Sequence, residues 1–464
     1  MGRLDSAYAR LPTWAQHLAV SAYGAYWRRL RFGRGFADSV RDYGSLDGAS
    51  AAEFAEVQRA RLRQVLAVSA TQVPFYRTTW SDEQRSAAMA GELHRLPLLE
   101  KEPLRRDPRA FVREDVKVRR ELTFHSSGST GTPIASYWTV PELRRAMALR
   151  EVRSARWAGV SFTETRATFS GRMVEPDPDS RGPYHRFNAA ERQVYLSPFH
   201  LRRDTAASYV AALERHGVRW LTGYAVSYYL LARFILQEKL GVPALKAVIT
   251  TSEKTTAEMR RVMEKAYRCR VYEEYSTVES ALFASECEQG SLHVSPDACV
   301  VEILRPDGTH CSPGESGEVV TTCLIRDYQP LIRFRLGDVA AWSPDPCPCC
   351  RAMPVLREVI GRTEDVVVGP DGRVMVRFHG VFTDQPHVRL GQVVQESPDR
   401  IRLRVVPAEG FGEADERDLA GRVHQRLGAT VTVIVERVER IPLTKAGKFQ
   451  AVISLLKRSE SDRS

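Results

Sequence analysis

Polar and apolar positions change rhythm three times along this chain. Ser50 and Glu53 frame a capping box, and Phe54, Val57, Leu62, Val65 and Leu66 then recur at helical spacing. That predicts a helix ended by VPFYR at 73–77. Further on, helix-like AASYVAALERHG (206–217) precedes the apolar run VRWLTGY, and SYYLLARFILQEKLG (227–241) precedes LKAVITTSE (245–253). TTAEMRRVMEKAYRC then precedes RVYEEYS. Repeated helix–strand units of this kind predict a parallel α/β sheet. After about residue 294 the pattern turns to strands and tight turns, as in ACVVEILRPDG and GESGEVVTTCLI. In the last hundred residues IRLRVVP (401–407) and VTVIVERV (431–438) alternate, and Leu419, Val423 and Leu427 mark a helix between them. The expectation is a large α/β domain with parallel or mixed sheets over 1–361 and a small α+β domain over 362–464, with the boundary near Gly361–Asp365. No internal repeat is visible, and the polar tail 458–464 is expected to fray.

A chain of 464 residues, 43% hydrophobic and 27% charged, reads as globular and too long for one core. The net charge of +10 is spread over scattered arginines, such as Arg28, Arg29, Arg31 and Arg34 or Arg59, Arg61 and Arg63. That argues against a nucleic-acid surface and suits anionic small molecules. Residues 14–26, WAQHLAVSAYGAY, are too short and too polar to span a bilayer. With WRRLRFGR after them they read either as a basic interfacial helix or, more commonly, as a helix packed on its own domain. No membrane insertion and a cytoplasmic location are expected. All eight cysteines fall between Cys269 and Cys350, a clustering that suits a metal site better than a disulfide framework.

Residues 125–134 read HSSGSTGTPI. Small hydroxyl residues around two glycines suit a backbone that wraps phosphate, and equally a flexible Ser/Gly linker. No lysine follows Gly131, so the loop is not a Walker A motif.

Read in order, five motifs resemble the adenylate-forming enzyme superfamily. They are closest to the phenylacetate–coenzyme A ligase-like branch, which includes capsular polysaccharide biosynthesis-type proteins. The resemblance covers nearly the whole chain. It implies that Ser126, Ser127, Gly128, Ser129, Thr130, Gly131 and Thr132 surround the phosphates of ATP. TTSEKT (250–255) is similar to the stretch along the adenine side and supplies Ser252 and Glu253. In YEEYSTVES, Tyr275 would stack on adenine and Glu279 would hold Mg²⁺. Ser276 and Val278 depart from the family's Tyr-Gly-x-Thr-Glu, and Val278 removes a hydroxyl usually near the α-phosphate. FRLGD (334–338) places Asp338 for both ribose hydroxyls, against the plainer reading of a turn residue after glycine, and Arg362 in GRTED adds a ribose or phosphate contact. IPLTKAGKFQ (441–450) supplies Lys448 as the mobile catalytic lysine, with Lys445 the nearest rival. Glu364 is the implied hinge about which the small domain rotates.

The same branch carries a Cys/His cluster comparable to Cys287 and His293 in ECEQGSLH with the thiols of PCPCC. Three thiolates and one imidazole suit a structural zinc site, and buried thiols are the alternative. Cys347 is one ligand, and Cys349 or Cys350 is the third thiolate. His200 lies in the branch's aromatic/His stretch near the acyl pocket, as a substrate-positioning catalytic residue or a core histidine. Tyr224, Ala225 and Val226 are candidate substrate-lining residues, or helix packing. FSGRMV (169–174) has a counterpart in the branch and no assigned role.

The implied reaction is adenylation of a carboxylic acid, then transfer to a thiol or an amine, with coenzyme A as one co-substrate. The alternatives are amide formation in a natural-product or polysaccharide pathway, adenylation of an oxyanion such as nitrite, or a degenerate nucleotide-binding protein. The implied partners are the acid and its acceptor, with room for a homodimer.

Overall fold

The computed structural model describes residues 8, 11–117, 120–125, 134–170, 174–175, 180–362, 367–370, 374–375, 378–382, 385–442 and 449–456, with backbone alone at 360–362, 374–375 and 379. The chain divides into two compact units. One is Met1–Leu336 with Ala341–Glu358, and the other is Gly337–Ala340 with Val359–Ser464.

Strands β1 (Glu121–His125) and β2 (Ala135–Thr139) pair antiparallel, closing at His125↔Ala135. Twelve strands build the main sheet: β3 (Arg166–Phe169), β4 (His185–Asn188), β5 (Gln193–Leu196), β6 (Trp220–Tyr224), β7 (Ala247–Thr251), β8 (Arg270–Ser276), β9 (Phe283–Glu286), β10 (Leu292–Val294), β11 (Cys299–Leu304), β12 (Ser316–Cys323), β13 (Phe334–Trp342) and β14 (Val355–Arg362). The order is β11-β12-β13-β14-β10-β9-β8-β7-β6-β3-β5-β4. Within it β8, β7, β6, β3 and β5 are parallel, flanked by antiparallel β9 and β4. The sheet is therefore mixed, with a parallel centre built from helix–strand units.

The physical cause is burial. Every residue of β6 is buried, as expected of a strand covered on both faces. The helix Ala225–Gln237 covers the sheet with Tyr228, Leu231, Ala232 and Ile235, and the Tyr228 hydroxyl donates to the Ala167 and Thr222 carbonyls at 2.8 and 3.1 Å. The next helix, Ala257–Tyr267, is capped by Thr256, which accepts from the Met259 amide. Gly223 has φ +130° and lies so close to β3 that a Cβ there would meet the Phe169 carbonyl oxygen at 2.0 Å. Only glycine fits. The capping box at Ser50 and Glu53 opens a helix over Ala51–Gln72, and VPFYR both ends it and starts a further short helix, Pro74–Thr79.

In the second unit, β15 (Val367–Val368) pairs with β16 (Val374–Met375), and β17 (Val388–Ser397), β18 (Arg400–Pro407), β19 (Thr432–Arg437) and β20 (Val452–Ser454) form a sheet of order β19-β18-β17-β20. The helix Glu413–Leu427 sets Leu419, Val423 and Leu427 against Val393, Ile401, Leu403 and Val405.

At the β4 edge of the main sheet lies the helix Thr13–Arg31. There His17, His185 and His216 meet, with ring centroids 5.2 to 6.5 Å apart and the Nε2 atoms of His185 and His216 at 3.2 Å.

Candidate active site and metal centre

Five parallel strands end on one edge of the main sheet, and the motif residues follow their ends in a row. The register sets Phe169 beside both Leu196 and Gly223, Tyr224 beside Thr251, and Thr251 beside Glu274. Tyr224 ends β6, and Ala225 and Val226 open the helix after it; all three are buried. Ser252 follows β7 in a left-handed conformation, φ +71°. Glu253 next to it accepts a hydrogen bond from the Val226 amide at 2.9 Å. A carboxylate thus meets the positive end of the helix Ala225–Gln237, a stabilising pairing that ties the Ser-Glu motif to the Tyr-Ala-Val stretch.

Tyr275 and Ser276 end β8 and are half-buried. The Ser276 hydroxyl donates to Glu274 Oε1 at 3.1 Å, and the Glu274 carboxylate is in turn paired with Arg150 at 3.0 Å. Glu279 is buried just beyond, in a turn closed by the Ser280 amide on the Thr277 carbonyl at 2.9 Å. The buried Arg326 guanidinium holds that turn through the Glu279 carbonyl and lies 4.0 Å from the Trp138 ring centroid. Val278 is exposed.

His200 follows β5 and is buried. Its Nδ1 lies 2.8 Å from Ser197 Oγ, and its ring lies parallel to Tyr184 at 5.2 Å. Asp338 sits inside β13, half-buried and next to Gly337 at φ +72°, so it is a strand residue and not part of a turn. Arg362 ends β14. Ser126, Ser127, Gly128, Ser129, Thr130, Gly131, Thr132, Glu364, Lys445 and Lys448 lie outside the described residues. What sequence reasoning missed is the supporting layer: the Glu253–Val226 contact, the Ser276–Glu274–Arg150 chain and Arg326. Apart from the Ser276–Glu274 bond, the partners are remote in sequence, and no local pattern announces them.

A second cluster forms where the β9–β10 turn meets the loop before β14. Ligand atoms of Cys287, His293, Cys347 and Cys349 lie within 4.8 Å of one another, among them Cys287 Sγ–Cys347 Sγ at 3.6 Å and Cys349 Sγ–His293 Nε2 at 3.3 Å. Ligands at about 2.3 Å (sulfur) and about 2.0 Å (nitrogen) around a tetrahedral ion would stand about 3.8 Å (sulfur to sulfur) and about 3.5 Å (sulfur to nitrogen) apart. A disulfide needs about 2.05 Å. His293 Nδ1 lies 3.0 Å from the Met353 carbonyl, which can only accept, so Nδ1 carries the proton and Nε2 offers its lone pair to the cluster. Cys350 is exposed, with its thiol on the Pro348 carbonyl, so Cys349 joins the group. Burial raises the Cys347 thiol, but hydrogen bonds from Ser291, from Cys349 and from His293 outweigh it and bring the pKa to about 6. Burial leads in holding Cys349 up at about 11 and Cys287 above its ordinary value. Phe54, Trp157 and Met353 pack around the group. Three sulfurs and one nitrogen, with Cys287 and His293 buried and Cys347 and Cys349 half-buried, fit a structural zinc ion.

Residues 369–455 match the family model of the CapK C-terminal domain. The chain is 21% identical to the protein CapK of Staphylococcus aureus, over 98% of this chain and 100% of that protein. It is 23% identical to a phenylacetate–coenzyme A ligase of Thermus thermophilus, over 86% and 96% of the two. Among solved structures, 2-hydroxyisobutyryl-CoA ligase in its postadenylation state shares the fold at TM-score 0.68 and 23% identity, over 89% of this chain and 91% of that one. The fold is thus one shared with acyl-CoA ligases, and several of the relatives are named as such ligases. The similarity to CapK and to that phenylacetate–coenzyme A ligase runs over most of this chain.

Proposed function

We propose that this chain activates a carboxylic acid with ATP and passes the acyl group to a thiol or an amine. The observation that carries the reading is the row of motif residues along the carboxyl ends of five parallel strands, the edge at which open α/β sheets bind ligands. In the first step a carboxylate oxygen attacks the α-phosphorus of ATP, and the bond to pyrophosphate breaks. Residues 126–132 would cradle the departing phosphates, and Tyr275 would stack on adenine. Asp338 would accept the ribose hydroxyls, with Arg362 beside them. Glu279 would hold a magnesium ion, whose charge offsets that of the phosphates when it is bound. Negative charge gathers on the α-phosphate oxygens as the new bond forms, and a lysine cation, Lys448, would stabilise it there. In the second step the thiol or amine attacks the acyl carbon and AMP leaves. Glu364 would be the hinge between the two arrangements, and Tyr224, Ala225, Val226 and His200 would bound the acid. Coenzyme A is the acceptor that the names of the ligase relatives suggest.

Zinc at Cys287, His293, Cys347 and Cys349 would be structural, since four protein ligands leave no open position for substrate. The second reading, a nucleotide-binding protein without activity, is favoured by exposed Val278 standing where the family has a threonine. Pyrophosphate exchange into ATP over a panel of aromatic, aliphatic and hydroxy acids separates the readings. Exchange with one class of acid supports ligation, and silence over the whole panel with ATP still bound supports the second reading.

A further inference from the structure

The helix Thr13–Arg31 turns its polar side inward. Gln16 accepts from Arg186, His17 Nδ1 accepts from the Phe187 amide at 2.8 Å, and Ser21 bonds the Phe187 carbonyl and the Ala189 amide at 3.3 and 3.0 Å. Arg28 reaches the Ala190 carbonyl at 3.0 Å, and Arg31 pairs with Glu191 at 2.8 Å. Arg144 holds the far end through the carbonyls of Leu30 and Arg29. The helix is thus fixed to the β4 edge by hydrogen bonds, with Leu30 and Trp27 packed inward near its end, while a stripe of its other apolar side chains faces out. Leu11, Trp14 and Leu18 are 40, 66 and 62% exposed, and exposed Ala22 and Ala25 continue the same stripe at helical steps. Exposed Tyr23 and Tyr26 flank it. Arg28, Arg29 and Arg34 are exposed at its end, Arg120 lies over the Tyr26 ring, and no acidic residue occurs between positions 6 and 37.

We infer that this face is a peripheral docking surface for a bilayer containing anionic lipid. Aliphatic side chains would enter the acyl boundary, Trp14 and the tyrosines would sit at headgroup level, and the arginines would meet lipid phosphates. The helix lies on the surface and does not cross: no described helix is long and apolar enough to span a membrane. A second copy of the chain fits less well. A stripe about 28 Å long and about 10 Å wide offers roughly 300 Å², against about 800 Å² per partner in a standard interface. Two copies would also bring together clusters of like charge with no acid to offset them. The surface is independent of how the active site is read.

The test is flotation of the full-length protein with phosphatidylcholine vesicles, with and without phosphatidylglycerol, at low and high salt. Binding is expected on the anionic vesicles and should weaken with salt. Trp14→Ser with Leu18→Ser should lose about tenfold or more. Arg29→Gln with Arg34→Gln should lose about fivefold for each arginine, on anionic vesicles alone. All four side chains are exposed, so an unchanged melting temperature certifies the fold. If the first variant is unstable, the arginine variant decides. No flotation with anionic vesicles, or variants that float as well as wild type, overturns the proposal. So does a dimer, seen by sedimentation without lipid, that the Trp14/Leu18 substitutions dissociate.

Discussion

Acidification should weaken this protein through the three histidines under its N-terminal helix. His185 is 8% exposed. Burial first, then the charges of His216, His17, Arg186 and Arg215, lower its pKa from the ordinary 6.5 to about 3. The same forces lower His17 and His216. A folded-state pKa below the unfolded one means that the unfolded chain binds the proton first. Stability is therefore full above pH 6.5 and is lost as pH falls toward the folded value. At about 1.36 kcal/mol per unit, the 1.5 units between pH 6.5 and pH 5 give about 2 kcal/mol from His185. The contacts explain the sign. The His17 Nδ1 lone pair is occupied by the Phe187 amide, and the 3.2 Å pair of His185 and His216 needs one neutral acceptor nitrogen. The assay is urea unfolding at a series of pH values on wild type and His185→Gln. Wild type should lose about 2 kcal/mol more than the variant over that interval, which cancels the other titrating groups. Parallel stability curves for the two proteins would refute the reasoning.

Four further outcomes are expected. Protein purified without added metal should carry about one zinc per chain, and Cys347→Ser should lower both metal content and melting temperature; a folded, metal-free preparation would end the zinc assignment. Asp338→Ala should weaken ATP binding by roughly 1.5–3 kcal/mol for each ribose hydrogen bond lost, measured by calorimetry, with unchanged affinity counting against the role. Lys448→Ala should slow adenylate formation by about 10²–10³ while leaving turnover of supplied acyl-adenylate near normal, and equal loss in both assays would point to one conformation serving both steps. Asp297→Ala leaves Arg153, whose guanidinium is fully buried and bonded to Asp297 at 3.0 Å, with only the Asp47 carboxylate 4.0 Å away, and should cost about 3–5 kcal/mol in urea unfolding; a loss under 1 kcal/mol would mean that Asp47 or water takes over the charge.

Much of the architecture was legible because periodicity reports burial. The runs VRWLTGY, LKAVITTSE and RVYEEYS supplied adjacent parallel strands, and Leu419, Val423 and Leu427 became the buried stripe of one helix. The motifs gave an ordered set of candidate residues, and the strand register aligned several of them on one edge. Three things escaped. The choice between Cys349 and Cys350 depends on backbone direction at a turn, where Cys350 adopts φ +63°. The histidine cluster joins positions 17, 185 and 216, and no window of sequence contains all three. The N-terminal helix has an ordinary amphipathic pattern, but the polar atoms of β4 draw Gln16, His17 and Ser21 inward, which inverts the expected arrangement over its first half.

The cysteine–histidine cluster also determines how one part of the chain can come apart. His293 and Cys347 bracket an excursion that contains β11, β12 and β13, with Asp338 on the last of them. Both ends of that hoop meet at one point. With a metal there, those strands could loosen only as a closed ring, a restriction on the unfolded chain comparable to a disulfide over some fifty residues and on the order of 4 kcal/mol. Chelation would then act as an unclasping: the first strands released should be β11 to β13, ahead of the parallel centre, and amide exchange should report that order.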